Sequence, residues 1–166
     1  GTRKGAWVID SNADRSVWNI NGPMHLGAVV SHFVADTRNP SQRLMSVGSG
    51  HLGPSVFLSN DAGASWREAS TPPAFSVEPN GATRSVDHVF WLSQGHASEP
   101  NVWYAGTSPQ GLFKSVDHGD TWQEVLGFNH HSDFLEWRGG DKDGTPDGPK
   151  LHSIIVDPHN KKHLLL

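Results

Sequence analysis

The chain has 166 residues with 17 acidic and 13 basic side chains, a formal net charge of −4, no Cys, and the turn-formers Gly and Pro at 18 and 11. This length gives one domain with a real core. A mildly acidic chain without a basic block does not present the clustered Lys and Arg of a nucleic-acid face. The lack of Cys excludes a disulfide frame and a thiolate metal site, and no apolar run is long enough to span a membrane. A soluble protein of short strands and tight turns is expected, with its compartment, cytoplasmic or secreted, left open.

In chain order, residues 1–27 read as two strands around "GAWVIDSNADRSVW", which ends at Trp18. Residues 28–70 read as four strands. "VVSHFVAD" carries His32, a turn follows at Arg38–Pro40, "RLMSVG" and "VFLS" are the second and third strands, and the fourth starts at Trp66. Residues 84–127 repeat the pattern with "SVDHVFWL" around His88, a turn at Ser98–Pro100, "NVWYAG", "LFKS" and Trp122. Residues 128–150 are expected to be an inserted loop. Residues 151–166 start the pattern again, with "LHSIIVDP" around His152 and then "KHLLL".

The repeat is carried by "SNDAGASW" (Ser59–Trp66) and "SVDHGDTW" (Ser115–Trp122), 56 residues apart, the same spacing as His32 and His88. His152 follows His88 by 64, so the loop before it is eight residues longer. In the first copy the phrase is decayed: Ala13 replaces its Asp and Arg15 its Gly. Apolar residues alternate or run in short strings, with no helical stripe. A four-stranded unit at this spacing is a β-propeller blade. The expected fold is therefore all-β: a propeller segment of four-stranded antiparallel blades, about three blades' worth. A chain opening at Gly1 and stopping within an apolar strand at Leu166 is expected to be a fragment of a larger propeller.

Within the phrase every residue type has a folding role. Asp accepts backbone N–H bonds in its own turn, Gly supplies a positive φ, Ser or Thr adds a local bond, and Trp buries area between units. Catalysis by Asp61 and Asp117 would need both to face one substrate, whereas copies one blade apart point to different places on the rim.

The phrase resembles the Asp-box, or BNR, repeat of the sialidase superfamily and related propellers. "GTRKGAWVI", "SGHLGPSVFLSNDAGASW" and "LHSIIVDP" are similar to bacterial BNR/WD40-like repeat proteins that carry glycosyl hydrolase or exo-alpha-sialidase labels. The resemblance implies boxes on the periphery, away from an active site. It does not carry sialidase chemistry over: the Arg-containing motif before the first box is missing, only Arg3, Arg84 and Arg138 are left to face a pocket, and the one Tyr, Tyr104, lies inside a strand. A xyloglucanase-like glycosidase, also built on Asp-box propellers, would draw its carboxylate pair from Asp87, Asp133 and Glu136. No catalytic residue is assigned.

Eleven His are present. His32, His88 and His152 share one slot of the repeat, on the innermost strand that would line a central channel. Two roles are open for them, ligand binding or hydrogen bonding between neighbouring blades. His25, His51, His130 and His131 lie in loops, the last two beside Asp133, Glu136, Trp137 and Arg138. Loops on a rigid scaffold commonly carry function. Together these ten side chains (the seven His, Asp133, Glu136 and Arg138) form the candidate ligand site at the channel mouth, for a carbohydrate or a small anion. No cofactor is expected and no metal, since no close-spaced His pair occurs. "DKDGTPDG" (Asp141–Gly148) departs from a calcium loop at Thr145 and reads as a polar surface loop. The functional reading is a carbohydrate-active, glycosyl hydrolase-like or carbohydrate-binding propeller. The alternative is a non-catalytic scaffold with a protein partner.

Overall fold

The computed structural model describes residues 1–50, 53–77, 81, 84–138 and 148–166, the side chains at 49, 135 and 138 excepted. The described chain is all-β apart from two short helical turns. In order it contains β1 (Ala6–Ser11), β2 (Trp18–Met24), β3 (Val29–Ala35), β4 (Arg43–Ser49), β5 (Gly53–Ser59), β6 (Arg67–Glu68), β7 (His88–Gln94), β8 (Trp103–Ser108), β9 (Gly111–Ser115), β10 (Gln123–Glu124), α1 (Leu126–Asn129), α2 (Phe134–Arg138), β11 (Ile155–Val156) and β12 (Leu164–Leu165). Four antiparallel sheets result: β1-β2, β3-β4-β5-β6, β7-β8-β9-β10 and β11-β12.

Each sheet has strands in sequence order because each turn is too short to do anything but return the chain beside itself. One sheet cannot bury both of its faces alone, so successive sheets share cores. Ala6, Val30, Met45 and Val47 fill the first. Leu44, Val56, Leu58, Val89, Trp103, Phe113 and Trp122 are among the side chains of the second. Tyr104, Leu112, Leu151 and Ile154 lie in the third. Tyr104 is thus a core residue, and burial, then the Glu99 charge, pushes its phenol above the ordinary value.

The register corrects the sequence alignment of the first strands. A bulge lies between Val30 and His32 in β3 and between Val89 and Trp91 in β7. The structural counterpart of His32 is therefore Trp91. His88 stands at the start of β7, matching Val29, and His152 precedes β11 outside any strand. The three His do not occupy equivalent inner-strand positions. The cause is length: the offset between the two sheets is 59 at Trp91, 60 at Trp103 after a turn one residue longer, and 56 only from β9 on, after a hairpin four residues shorter. The stretch read as an inserted loop, 128–150, carries the end of α1 and all of α2, and most of "DKDGTPDG" lies outside the described residues.

Candidate functional site

The repeated phrase forms two closely similar turns. Ser59 Oγ donates to Asp61 Oδ1 (2.7 Å), and the Gly63 N–H donates back to Ser59 Oγ (2.7 Å). The N–H and hydroxyl of Ser65 donate to the two Asp61 oxygens (2.9 and 2.6 Å), and the Trp66 indole donates to the Gly63 carbonyl (3.1 Å). Asp117 is held in the same way by Ser115 (2.7 Å), the Thr121 N–H (2.9 Å) and the Thr121 hydroxyl (2.5 Å). In both turns the residue before Gly also has positive φ, 60° at Ala62 and 62° at His118. Each is held there by its N–H, which donates to the preceding loop at Ser41 (2.9 Å) and Asn101 (3.0 Å).

The Ser65 bonds hold the Asp61 carboxyl well below its ordinary pKa. Burial would raise the Asp117 pKa, but the bonds from Thr121 and Ser115 outweigh it and lower the pKa. A carboxylate fully engaged with its own turn is neither a proton donor near neutrality nor a nucleophile aimed at a substrate.

A concave cleft of about 600 Å³ runs along the first strands of three sheets, lined by β3, β7 and β11 residues and by the turns that follow them. His32 sits in its wall. The Leu92 N–H donates to His32 Nδ1 (3.1 Å), and the Trp91 ring stacks on the imidazole at 4.3 Å. Burial, then the charge of the chain's amino terminus, lowers the His32 pKa. A neutral ring whose Nδ1 accepts a bond carries its proton on Nε2, so Nε2 is an N–H donor and not a metal ligand. His32 therefore makes the inter-sheet bond expected of a structural His, from a position that also faces the cleft.

Arg38 lines the same cleft but is already engaged. It holds buried Asp36 through Nε and Nη2 (2.9 Å each) and donates to the carbonyls of Gly95, His96 and Pro100 (3.4, 3.2 and 3.3 Å). All five guanidinium N–H groups are taken, leaving none for a ligand carboxylate. Among the described lining residues Asp157 is the one acid.

The remaining expected site residues fall elsewhere. His25 lines a separate pocket of about 200 Å³ with Phe57 and Glu68, its ring 4.3 Å from Phe57, and burial lowers its pKa. His88 is exposed, and His152, exposed too, lies 6.5 Å from the Phe90 ring. His130 approaches Glu124 (3.6 Å), and His131 stacks on Trp137 at 4.3 Å and accepts the Asp133 N–H (3.2 Å). Asp133 and Glu136 are exposed at the start of α2 and within it. Arg84 lies over Phe75 at 4.0 Å. His51 lies outside the described residues, as does the side chain of Arg138. The expected side chains among the described residues are thus spread over several places, and of these His32 alone lines the cleft.

Sequence reasoning missed Trp91, Arg38 and Asn129. The buried Asn129 side chain bonds both the N–H and the carbonyl of Leu112 (2.8 and 3.0 Å), as an added strand would. Anchoring the alignment on Pro40 and Pro100, 60 apart, instead of on the His would have moved the inner slot to Leu92, one residue from Trp91. Nothing in the local sequence marks Asn129.

Stacked antiparallel sheets with a cleft along their first strands define an all-β architecture. No family model matches the chain and no curated protein matches it in sequence. Among solved structures it is similar to the GH74 xyloglucanase from Xanthomonas campestris, at 21% identity and a TM-score of 0.54, over 92% of this chain and 21% of that one. The chain spans about a fifth of that enzyme's length, and the likeness is one of fold. Among the described residues no group of metal-ligating side chains is close enough to hold an ion, and no helix is long and apolar enough to cross a membrane.

Proposed function

We propose that this chain is a segment of an Asp-box β-propeller that binds carbohydrate in the cleft along its first strands. The observation that carries the reading is the cleft itself: about 600 Å³, walled by His32 and Trp91, within the roughly 300–1,000 Å³ of small-ligand sites. The fold likeness to a propeller-type glycoside hydrolase adds support. The engaged Arg38 favours a neutral sugar over an anionic one. Hydrolysis would require a second carboxylate facing Asp157, and the described lining residues do not supply it, so binding is the function proposed.

The test is calorimetric titration with cellotetraose and a xyloglucan oligosaccharide. Saturable binding is expected, weakened by Trp91→Phe, which replaces the indole in the cleft wall with a smaller ring that has no N–H. His131→Ala is expected to leave affinity unchanged. Binding to neither sugar rejects the reading, and loss with His131→Ala alone moves the site to the loop of α1 and α2.

A further inference from the structure

We propose that His32 is a proton-sensitive tie between the two four-stranded sheets, holding the wall of the cleft together only while its ring is neutral. The tie is read from geometry, and its effect on affinity rests on the carbohydrate reading above.

The backbone of β3 is shaped for this side chain. The bulge between Val30 and His32 sets His32 opposite Ser46, and a bulge re-aims the side chain beside it. Buried Ser46 fastens the place: its Oγ accepts the His32 N–H (2.8 Å) and donates to the His32 carbonyl (3.4 Å). In β7 the matching bulge sets Trp91 opposite Gly106, which has no side chain to do this. The His32 ring then reaches the next sheet. There β7 is an edge strand, and an edge presents N–H groups that no strand receives. The Leu92 N–H donates to His32 Nδ1 (3.1 Å), and Trp91 stacks on the ring at 4.3 Å with the planes 27° apart. Leu92 is buried in the core between the two sheets, so losing this acceptor leaves a buried donor unpaired.

Only the lone pair of an unprotonated Nδ1 accepts that bond. A proton there sets two donors against each other. Stacking on an indole attracts a cation, whereas burial and the charge of the chain's amino terminus oppose one, and the lowered His32 pKa shows that the opposition wins. The other charged groups do not reverse it. On β4 and β7 the ionisable side chains, Arg43 and His88, stand at the strand ends, opposite Ala35 and Ser108. Arg3 and Lys4, on the segment before β1, are exposed. Arg38 is taken up by Asp36 and three carbonyls. His96 accepts the Ser98 N–H at Nδ1 (3.1 Å) and donates from Nε2 to the Pro158 carbonyl (3.0 Å). Asp157 accepts the His159 N–H (2.8 Å) and faces His163 Nδ1 at 3.4 Å. Among the described residues no carboxylate is paired with His32. The sign follows: the tie is complete above the ordinary imidazole value and is lost as pH falls through the lower folded value.

His32 and Trp91 both wall the cleft. A sugar that binds the tied wall favours the neutral ring, so by linkage a proton on that ring opposes the sugar by the same factor. One proton sets the limit, a fall in affinity of at most about tenfold per pH unit.

The test is a pair of titrations from about pH 7.5 to about pH 4.5 on the 166-residue chain and on His32→Asn. Asn offers an amide oxygen near the Nδ1 position and does not titrate. In nitrogen-15 NMR, His32 is expected as the Nε2–H tautomer at the upper end, with the Leu92 amide resonance moving as the ring titrates and staying still in His32→Asn. The tautomer readout needs no variant. An Nδ1–H tautomer, titration at or above the ordinary imidazole value, or an equal Leu92 shift in His32→Asn overturns the tie. In calorimetry with a xyloglucan oligosaccharide, affinity is expected to fall toward the one-proton limit in the native chain and to change little in His32→Asn. A flat native profile, or the same slope in both chains, overturns the coupling of the tie to the cleft. Absence of sugar binding at every pH rejects the carbohydrate reading instead, and the NMR titration still decides the tie.

Discussion

At the Asp117 turn the Trp122 side chain is 4% exposed, while at the turn from Asn12 to Trp18 the corresponding Trp is 56% exposed. The hydrogen bonding nevertheless persists. Trp18 donates its indole N–H to the Arg15 carbonyl (3.0 Å), as Trp122 does to Gly119 (2.9 Å). Ala13 has lost the Asp, and Asn12, one residue earlier, replaces it: Asn12 Oδ1 accepts the Val17 N–H (2.9 Å), the counterpart of the Thr121 N–H held by Asp117 (2.9 Å). The turn is therefore a local object that tolerates exchange of its polar residues, whereas burial of its Trp is conferred by the preceding sheet. Shape and stabilisation come from different links of the chain.

The largest effect expected from this difference is in the two Trp. Trp122→Ala removes a fully packed aromatic side chain and should cost about 3–5 kcal/mol. Trp18→Ala should change stability by less than about 0.5 kcal/mol, as for an exposed site. Urea unfolding of both variants checks this, and equal losses would mean that Trp18 is covered in solution.

The carboxylates come next. Asp117→Ala leaves the Thr121 N–H and its neighbours without their acceptor and should cost about 1–3 kcal/mol. Asp61→Ala, in the more exposed turn, should cost less. The same groups set the acid limb. Asp61 and Asp117 have folded pKa values below the ordinary carboxylate range, and the bonds from Arg67 and Ser70 bring Asp120 to about 2. Depressed folded values mean stability that is present above about pH 4 and lost as pH falls toward 2. The melting temperature should drop across that window, and more shallowly in Asp120→Asn. A flat profile from pH 5 to 2.5 would contradict the bonding seen.

What the sequence showed and what it hid follow the same division. "SNDAGASW" and "SVDHGDTW" could be read as tight turns because Asp, Gly and Trp act within eight residues. The strands around them could be read from alternation. The inner strands could not be registered, because the turn after β7 is one residue longer, and the β8–β9 hairpin four residues shorter, than their counterparts in the preceding sheet. The spacing of 56 therefore holds from β9 on and not in the inner strand. The His slot was thus an accident of spacing, and the side chain stacked on His32 turned out to be Trp91. The positive φ of Ala62 and His118 was hidden for a similar reason: it is imposed by bonds to Ser41 and Asn101, on a different loop. Asn129 takes the place of a strand through a side chain, which no local pattern reports.

The smallest effect lies at the Gly position of the two turns, and it sharpens the comparison most directly. Gly119 has φ 89°, and a Cβ there would meet Leu44 Cδ1 at 3.0 Å. Gly119→Ala should therefore combine left-handed strain with displacement of a core side chain, for a loss of about 1–2 kcal/mol. Arg15 holds the same position in the decayed turn at φ 57°, where its side chain is exposed. Arg15→Gly relieves strain of roughly 1–2 kcal/mol, but it also loosens the unfolded chain, which offsets roughly 0.4–1 kcal/mol. The expected result is a net gain between about 0 and 1.6 kcal/mol, visible as a small rise in urea midpoint at constant slope. Destabilisation by Arg15→Gly would mean that the Arg15 side chain contributes a contact of its own, and that the decayed turn is held by more than the backbone bonds it shares with its intact relatives.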